Sequence, residues 1–106
     1  MTRTLKEVHI VCHAARNVRH LDDGMFLTGY WAVKPEYIHE GIVLALYEAK
    51  ALPSYLQGVV LCVNDTVCEK TKSGRCQRRI ELLVRATPSP LDWKGKATGE
   101  KGLVWG

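Results

Sequence analysis

Short apolar runs with a period of two dominate the chain, and this period predicts β-strands. In "LKEVHIVCHAA", Val8, Ile10 and Cys12 form one apolar face and alternate with a mixed face. The run "MFLTGYWAV" (25–33) is rich in aromatic and β-branched residues and predicts a second strand. Its Gly29 is typical of a bulge or bend. The first third of the chain is therefore expected to contribute two strands.

The rest of the chain continues the pattern. The runs "IVLALYEAK" and "GVVLCVNDTV" predict two central strands joined by "ALPSYLQ". "RCQRRIELLVRA" predicts another strand, which "TPSP" ends because proline cannot continue a ladder, and "GLVW" predicts a closing strand. "KPEYIHEG" allows one short helical turn, and the composition of 12–21 tolerates a helix.

Strands at this spacing predict a mostly β (α+β) fold of five or six strands closed into a small barrel, with one or two short helices. The length of 106 residues fits a single domain spanning 1–106. No apolar run approaches the roughly 20 residues of a membrane helix, and the N-terminus has no signal-peptide core. We therefore expect a cytoplasmic protein without a membrane partner.

The four cysteines match no C-x2-C pair, because Cys62, Cys68 and Cys76 are separated by five and seven residues and Cys12 stands alone. The spacing argues against a zinc site, and we expect reduced thiols. Cys12 and Cys62 lie inside apolar runs and are interpreted as small core residues. No metal and no cofactor is predicted.

Glu48-Ala49-Lys50 at the end of an apolar strand suggests a first enzymatic hypothesis. PD-(D/E)xK nucleases use an E-x-K triplet and a second carboxylate to hold a divalent metal and orient a water. The second carboxylate would come from one of Asp22, Asp23, Glu36 and Glu40. Such folds flank their sheet with long helices, and none is predicted here, so Glu48 and Lys50 are better interpreted as solvated charges at a strand end.

Other catalytic schemes lack their spacings, since the chain has no G-x-S-x-G, no G-x-x-x-x-G-K-[ST] and no H-E-x-x-H. His9 and His13 would share a helix face, but on a strand they lie more than a dozen ångströms apart at about 3.3 Å per residue. We interpret them as surface or cross-strand histidines. No catalytic residue is predicted, and a non-enzymatic function is favoured.

The aromatic residues are more informative, because many lie next to Gly or Pro turns at the expected mouths of the barrel. Flat rings with a polar edge stack on any base at roughly 1–3 kcal/mol each, and neighbouring polar groups read the base edge. Core packing is the alternative for each ring. The predicted ligand-binding residues are Tyr30, Trp31, Ser54, Tyr55, Gln57 and Trp93.

Basic residues are concentrated in "CEKTKSGRCQRR" (68–79), whereas the whole chain carries 15 basic and 11 acidic side chains for a formal charge of +4. This segment is suited to follow a phosphate backbone, although a solvated hairpin tip is an equal alternative. The predicted backbone contacts are Lys70, Lys72, Arg75, Arg78 and Arg79.

The order "TGYWAV", "GIVLALYEAKALPSYLQGVVLCV" and "RRIELLVRATPSPLDWKG" resembles the PUA-like barrels, in particular their EVE and ASCH branches, over residues 25 to 95. The resemblance implies a pseudobarrel that binds RNA or a modified nucleobase between its strands and a short helix. By position it implies a pocket wall of Tyr30 and Trp31, a loop of Ser54, Tyr55 and Gln57 beneath it, and a rim of Arg78 and Arg79. The N-terminal strand and the glycine-rich end lie outside the resemblance.

The leading hypothesis is therefore a non-enzymatic module that binds nucleic acid, either RNA or DNA with a modified or flipped base. It would use stacking aromatics and a basic rim. The metal-dependent nuclease centred on Glu48 and Lys50 is the second hypothesis. The third is a protein-interaction module of phage or mobile-element origin whose exposed aromatics contact a protein partner. The oligomeric state is left open.

Overall fold

A computed structural model describes residues 3–94 and 99–106. Positions 1–2 at the N-terminus and 95–98 in the glycine-rich tail lie outside the described residues. The described chain is mostly β, which confirms the predicted class. Its helical segments are two 3-10 turns, His13–Ala15 and Pro35–Tyr37. The strands are β1 (Leu5–Val11), β2 (Val18–His20), β3 (Met25–Trp31), β4 (Val43–Tyr47), β5 (Leu56–Lys70), β6 (Cys76–Ala86) and β7 (Lys101–Trp105).

All seven strands belong to one mixed sheet in the order β2-β3-β6-β5-β4-β1-β7. β1 and β4 are parallel, and the other neighbours are antiparallel. The expected count of five or six strands is wrong. The expected closed barrel is also wrong, because the outer strands β2 and β7 are not paired with each other within the described part of the chain. Side-chain contacts link β7 to the connection after β3 instead: Lys101 Nζ donates to the Ala32 carbonyl.

The helix tolerated in 12–21 does not form. Ala14 and Ala15 have φ values of 57° and 51°, in the left-handed region that ends regular helical structure. The chain then enters β2, in which Val18 is the partner of Thr28 on β3. Pairing with β3 therefore decides the conformation of a segment whose composition alone does not.

One face of the sheet carries the apolar core. Alternate positions on the central strands point into it, as a strand period of two requires. At Gly58 on β5, a Cβ atom would lie 2.2 Å from the carbonyl oxygen of Arg85, so glycine permits β5 and β6 to approach closely. The core residues are Leu5, Val8, Ile10, Cys12, Phe26, Val33, Ile42, Leu44, Leu46, Val60, Ile80, Leu82 and Val84.

The cysteines differ from expectation in two respects. Cys68 and Cys76 are disulfide-bonded across the β5–β6 hairpin, with Cα atoms 5.4 Å apart, so the prediction of reduced thiols is wrong for this pair. Cys62 is exposed and not a core residue, whereas Cys12 is buried as predicted. The predicted cytoplasmic location stays a prediction. None of the described helical segments has the length and apolar character required to cross a membrane.

Candidate functional site

The strongest candidate site surrounds Trp31, the last residue of β3. Its indole is half-buried against the core, and Nε1 donates a hydrogen bond to Thr28 Oγ1 at 3.0 Å. Trp31 lines two depressions of about 190 and 230 Å³. We call their combined surface the Trp31 cleft; besides Trp31 it is lined by Ile10, Val11, Cys12, His13, Arg16, Asn17, Ala32, Arg79, Glu100 and Lys101.

The floor of the Trp31 cleft is held by hydrogen bonds at the end of β1. The Tyr55 hydroxyl donates to the Cys12 carbonyl, and the Asn17 side-chain amide donates to the Gly29 carbonyl at 2.8 Å. The Cys12 thiol lies 3.9 Å from the Asn17 carbonyl oxygen, a weak contact. Burial and then the bond to Cys12 raise the pKa of Tyr55. Tyr55 is therefore tied to a residue that lines the cleft, while Tyr55 itself stays 39% exposed.

The charged side chains of the Trp31 cleft differ in whether other side chains engage them. Within residues 3–94 and 99–106, the side chains of Arg16 and Glu100 take part in no ion pair. Arg79 is partly engaged: its Nε lies 2.9 Å from Glu69 Oε2 without hydrogen-bond geometry, and its Nη1 donates to the Tyr30 carbonyl at 3.4 Å. The cleft thus offers cations at its rim and a single carboxylate.

Tyr30 does not line the Trp31 cleft. Its hydroxyl donates to Asp65 Oδ2 at 2.6 Å, and this bond is the main reason that the pKa of Tyr30 is raised. The predicted pairing of Tyr30 and Trp31 as one pocket wall is therefore wrong, because the phenol is directed to β5 and the indole to the cleft.

Ser54 and Gln57 are buried and serve a different purpose from the one predicted. Ser54 Oγ donates to Gln57 Oε1 at 2.6 Å and accepts from the Leu91 amide at 2.9 Å. Gln57 Nε2 donates to the Thr87 carbonyl at 2.6 Å. The two side chains hold segment 87–94 against the sheet, and their polar atoms are occupied by the protein itself.

Trp93 of this segment belongs to a group that we call the buried network. The group is formed by Glu7, His9, Tyr47 and Trp93 itself. The indole meets the ring of Tyr47 edge to face at 5.2 Å between centroids. Fully buried His9 joins Tyr47 through Nδ1 at 2.7 Å and Glu7 through Nε2 at 2.8 Å. Lys94 closes the chain at 3.2 Å from the other Glu7 oxygen.

The buried network has the order of a proton relay, with its Tyr47 end enclosed and its Glu7 end partly exposed beside Lys94. Tyr47 is fully buried, and burial, followed by the charges of Asp92 and Glu7, raises its pKa to about 12. A neutral, enclosed phenol is no nucleophile at neutral pH. Of the two predicted alternatives for His9, a surface or a cross-strand histidine, the structure matches the second, because His9 on β1 contacts Tyr47 on the paired strand β4. The signal that could have found its role is the alternation that places Glu7 and His9 on one strand face.

Glu48 and Lys50 line a third cleft of about 520 Å³ together with Val11, His13 and Glu100. The Ala14 amide donates to Glu48 Oε2 at 2.8 Å, and this bond and His13 lower the pKa of Glu48. Lys50 Nζ lies 5.3 Å from the centroid of the Trp93 ring.

No three His, Cys, Asp or Glu side chains in the described ranges are grouped as a metal site would require. The second carboxylate of the nuclease hypothesis would come from Asp22, Asp23, Glu36 or Glu40, and none of these is grouped with Glu48 in this way. The Glu48 carboxylate instead fastens the turn after β1 to the end of β4.

The predicted basic residues divide into two sets. Arg78 forms two hydrogen bonds with the Glu36 carboxylate at 2.6 and 2.9 Å, which raise the pKa of Arg78 and lower that of Glu36. Lys70, Lys72 and Arg75 are exposed at the hairpin tip and enter no ion pair in the part of the chain that the structure describes. The hairpin tip therefore retains cations that have no ion-pair partner among the described residues, whereas Arg78 is paired with Glu36.

The structure brings one predicted ring, Trp31, to the cleft, and it bonds the Tyr55 hydroxyl to the carbonyl of Cys12, which lines the cleft. It does not bring Ser54, Gln57 and Trp93 there. Arg16, Glu100 and Lys101 were not predicted, because only the junction of β1, β3 and β7 makes them neighbours. Comparisons of the chain with protein-family models, curated proteins and solved structures found no match. The resemblance to PUA-like barrels stays a prediction.

Proposed function

We propose that this protein binds single-stranded nucleic acid, with one base stacked on Trp31. The observation that supports the proposal is that half-buried Trp31 lines two depressions beside the partly engaged Arg79 and beside Arg16, which has no ion-pair partner among the described residues. Aromatic stacking next to a cationic groove is the usual basis of single-strand binding. We propose further that the fold is an open PUA-like pseudobarrel. The proposed ligand is either RNA or DNA with a modified or flipped base.

The size of the Trp31 cleft favours one ring over a larger ligand. Pockets for drug-sized molecules occupy roughly 300–1,000 Å³. The two depressions are each smaller, at about 190 and 230 Å³. A single base would fill one of them, while its phosphates would remain outside at the basic rim.

A cationic path extends from the cleft toward the hairpin. Ala32 borders both the Trp31 cleft and a further depression of about 340 Å³ beside Lys34, Gln77 and Arg78. The exposed cations of the hairpin tip continue the same strand pair. We propose that the phosphates beyond the stacked base follow this path, since phosphate contacts position a strand without reading its sequence.

The test is fluorescence anisotropy with labelled single-stranded RNA and DNA. Trp31→Leu keeps apolar bulk against the core and removes the flat ring, and we expect it to weaken binding by roughly 5- to 150-fold, the equivalent of about 1–3 kcal/mol. Trp31→Phe restores a ring and should recover part of the affinity. Tyr30→Phe is the matched control, because it alters a neighbouring aromatic outside the cleft.

Equal affinity of the wild type and Trp31→Leu would exclude stacking on Trp31. The absence of binding by the folded wild type at low salt would exclude the function altogether. Circular dichroism of each variant shows whether it is folded.

A further inference from the structure

Glu100 is the exceptional residue of the Trp31 cleft, because it is an acid in a surface otherwise suited to phosphate. Its backbone carbonyl accepts the Val11 amide at 2.8 Å, which anchors it beside the end of β1. It lines both depressions at Trp31. It has no ion-pair partner in the described part of the chain, so its two oxygens are available to a ligand.

A carboxylate at this place repels phosphate and accepts hydrogen bonds only. It therefore suits the edge of a base that presents two adjacent N–H donors. Guanine presents N1–H and the N2 amino group side by side on its Watson–Crick edge. Adenine and cytosine present one amino group beside a ring nitrogen acceptor, and uracil presents one N–H between two carbonyl oxygens. Of the four, guanine alone matches both carboxylate oxygens.

We propose that the Trp31 cleft selects guanine, with Glu100 accepting hydrogen bonds from N1–H and N2–H while the base stacks on Trp31. This inference rests on the proposed function and specifies its ligand. Arg16 lines the same depression as Glu100 and Trp31. Its guanidinium, which has no ion-pair partner in the part of the chain that the structure describes, would contact the phosphate of the bound nucleotide.

The experiment compares labelled five-nucleotide RNAs of uridine that differ only at the central base, which is guanine, hypoxanthine, adenine, cytosine or uracil. We expect guanine to bind roughly 5- to 150-fold more tightly than adenine, cytosine or uracil, the range of a bidentate base contact. Hypoxanthine lacks the N2 amino group and should fall between guanine and the other three bases.

Glu100→Gln should reduce the preference for guanine to within about twofold, because an amide offers one acceptor oxygen in place of a carboxylate. Binding of the all-uridine RNA should be unchanged or stronger, since a negative charge is removed. Glu40→Gln is the matched control: it removes an exposed carboxylate outside the cleft and should keep the preference for guanine.

The outcomes separate the two proposals. If the five RNAs bind equally and all depend on Trp31, or if the guanine preference survives Glu100→Gln, the guanine inference is wrong and the stacking function stands. A preference for adenine, cytosine or uracil also overturns it. If none of the RNAs binds, both proposals fail together.

Discussion

The buried network and the Trp31 cleft contain similar kinds of side chain, but they differ in whether the polar groups have partners within the protein. The buried network, together with Lys94 at its Glu7 end, combines a tryptophan, a histidine, a carboxylate and a cation, and the Trp31 cleft combines the same kinds of side chain. In the buried network both nitrogens of His9 and both oxygens of Glu7 have protein partners. In the cleft, Arg16 and Glu100 have no ion-pair partner among the described residues. Composition therefore does not separate packing from binding, whereas the satisfaction of polar groups does.

The largest expected difference between the two regions is in the effects of substituting their tryptophans, Trp93 in the buried network and Trp31 in the cleft. Trp93→Ala should lower the free energy of unfolding by about 2–4 kcal/mol, because it removes a half-buried indole packed on Tyr47. It should leave the affinity for single-stranded RNA unchanged once the variant is folded. Urea unfolding followed by circular dichroism and anisotropy titration measure the two quantities.

Trp93→Phe controls for the loss of volume and should recover part of the stability, because an aromatic ring again covers Tyr47. A Trp93→Ala variant that is as stable as the wild type but binds RNA much more weakly would reverse our assignment. Trp93 would then belong to the binding surface and the comparison between the two regions would be wrong.

Tyr47→Phe should cost about 1–3 kcal/mol of stability, since it leaves His9 Nδ1 without its partner in a fully buried position. Tyr55→Phe is matched to it, because it removes one phenol hydroxyl from the bond to the Cys12 carbonyl. We expect this control to cost about 1 kcal/mol or less, because the Tyr55 ring is partly exposed. A larger loss in Tyr55→Phe than in Tyr47→Phe would contradict the importance of the buried network.

Arg16→Ala tests the open region through its salt dependence. If Arg16 contacts one phosphate, the slope of log K against log salt concentration should become less steep by about 0.7 for a single strand. The stability should change by about 0.5 kcal/mol or less, because the side chain is exposed. Arg3→Ala is the control, since Arg3 is exposed and lines neither the Trp31 cleft nor the depression beside Lys34, and its slope should stay near that of the wild type. Equal slopes for Arg16→Ala and the wild type would remove Arg16 from the interface.

The sequence predicted the class of fold because alternation is local. The runs around Val8 and Leu44 appear as β1 and β4, each with alternate positions in the core. It did not predict β2, because Val18–His20 is a strand only through its pairing with β3. Nor could it predict the open sheet, in which the outer strands β2 and β7 are not paired with each other among the described residues.

The candidate site was less predictable for the same reason. Trp31 was found because an aromatic residue at a strand end is a local signal. Ser54 and Gln57 were assigned to the ligand because their partners, Leu91 and Thr87, lie more than 25 positions away in sequence. Glu100 was missed because only its pairing with Val11 brings it to the cleft. Long-range contacts thus decide which polar groups are satisfied, and local patterns do not report them.

The smallest expected effect is the change of stability at acid pH, and it concerns the carboxylate of the buried network. Burial raises the pKa of Glu7, but hydrogen bonds from His9 and Lys94 outweigh burial and hold the pKa below its ordinary value of 4.5. A carboxyl whose pKa is lower in the folded state stabilises the fold above its unfolded pKa. That contribution is lost as the pH falls through the folded pKa. Stability should therefore decline below about pH 4.5, and the lowered pKa values of Glu36 and Glu48 act in the same direction.

Glu7→Gln keeps the shape of the side chain and removes its titration. We expect the free energy of unfolding of this variant to fall less steeply than that of the wild type between about pH 5 and pH 3, with a difference of about 1 kcal/mol or less. Matching profiles for Glu7→Gln and the wild type would show that Glu7 gains nothing from its partners.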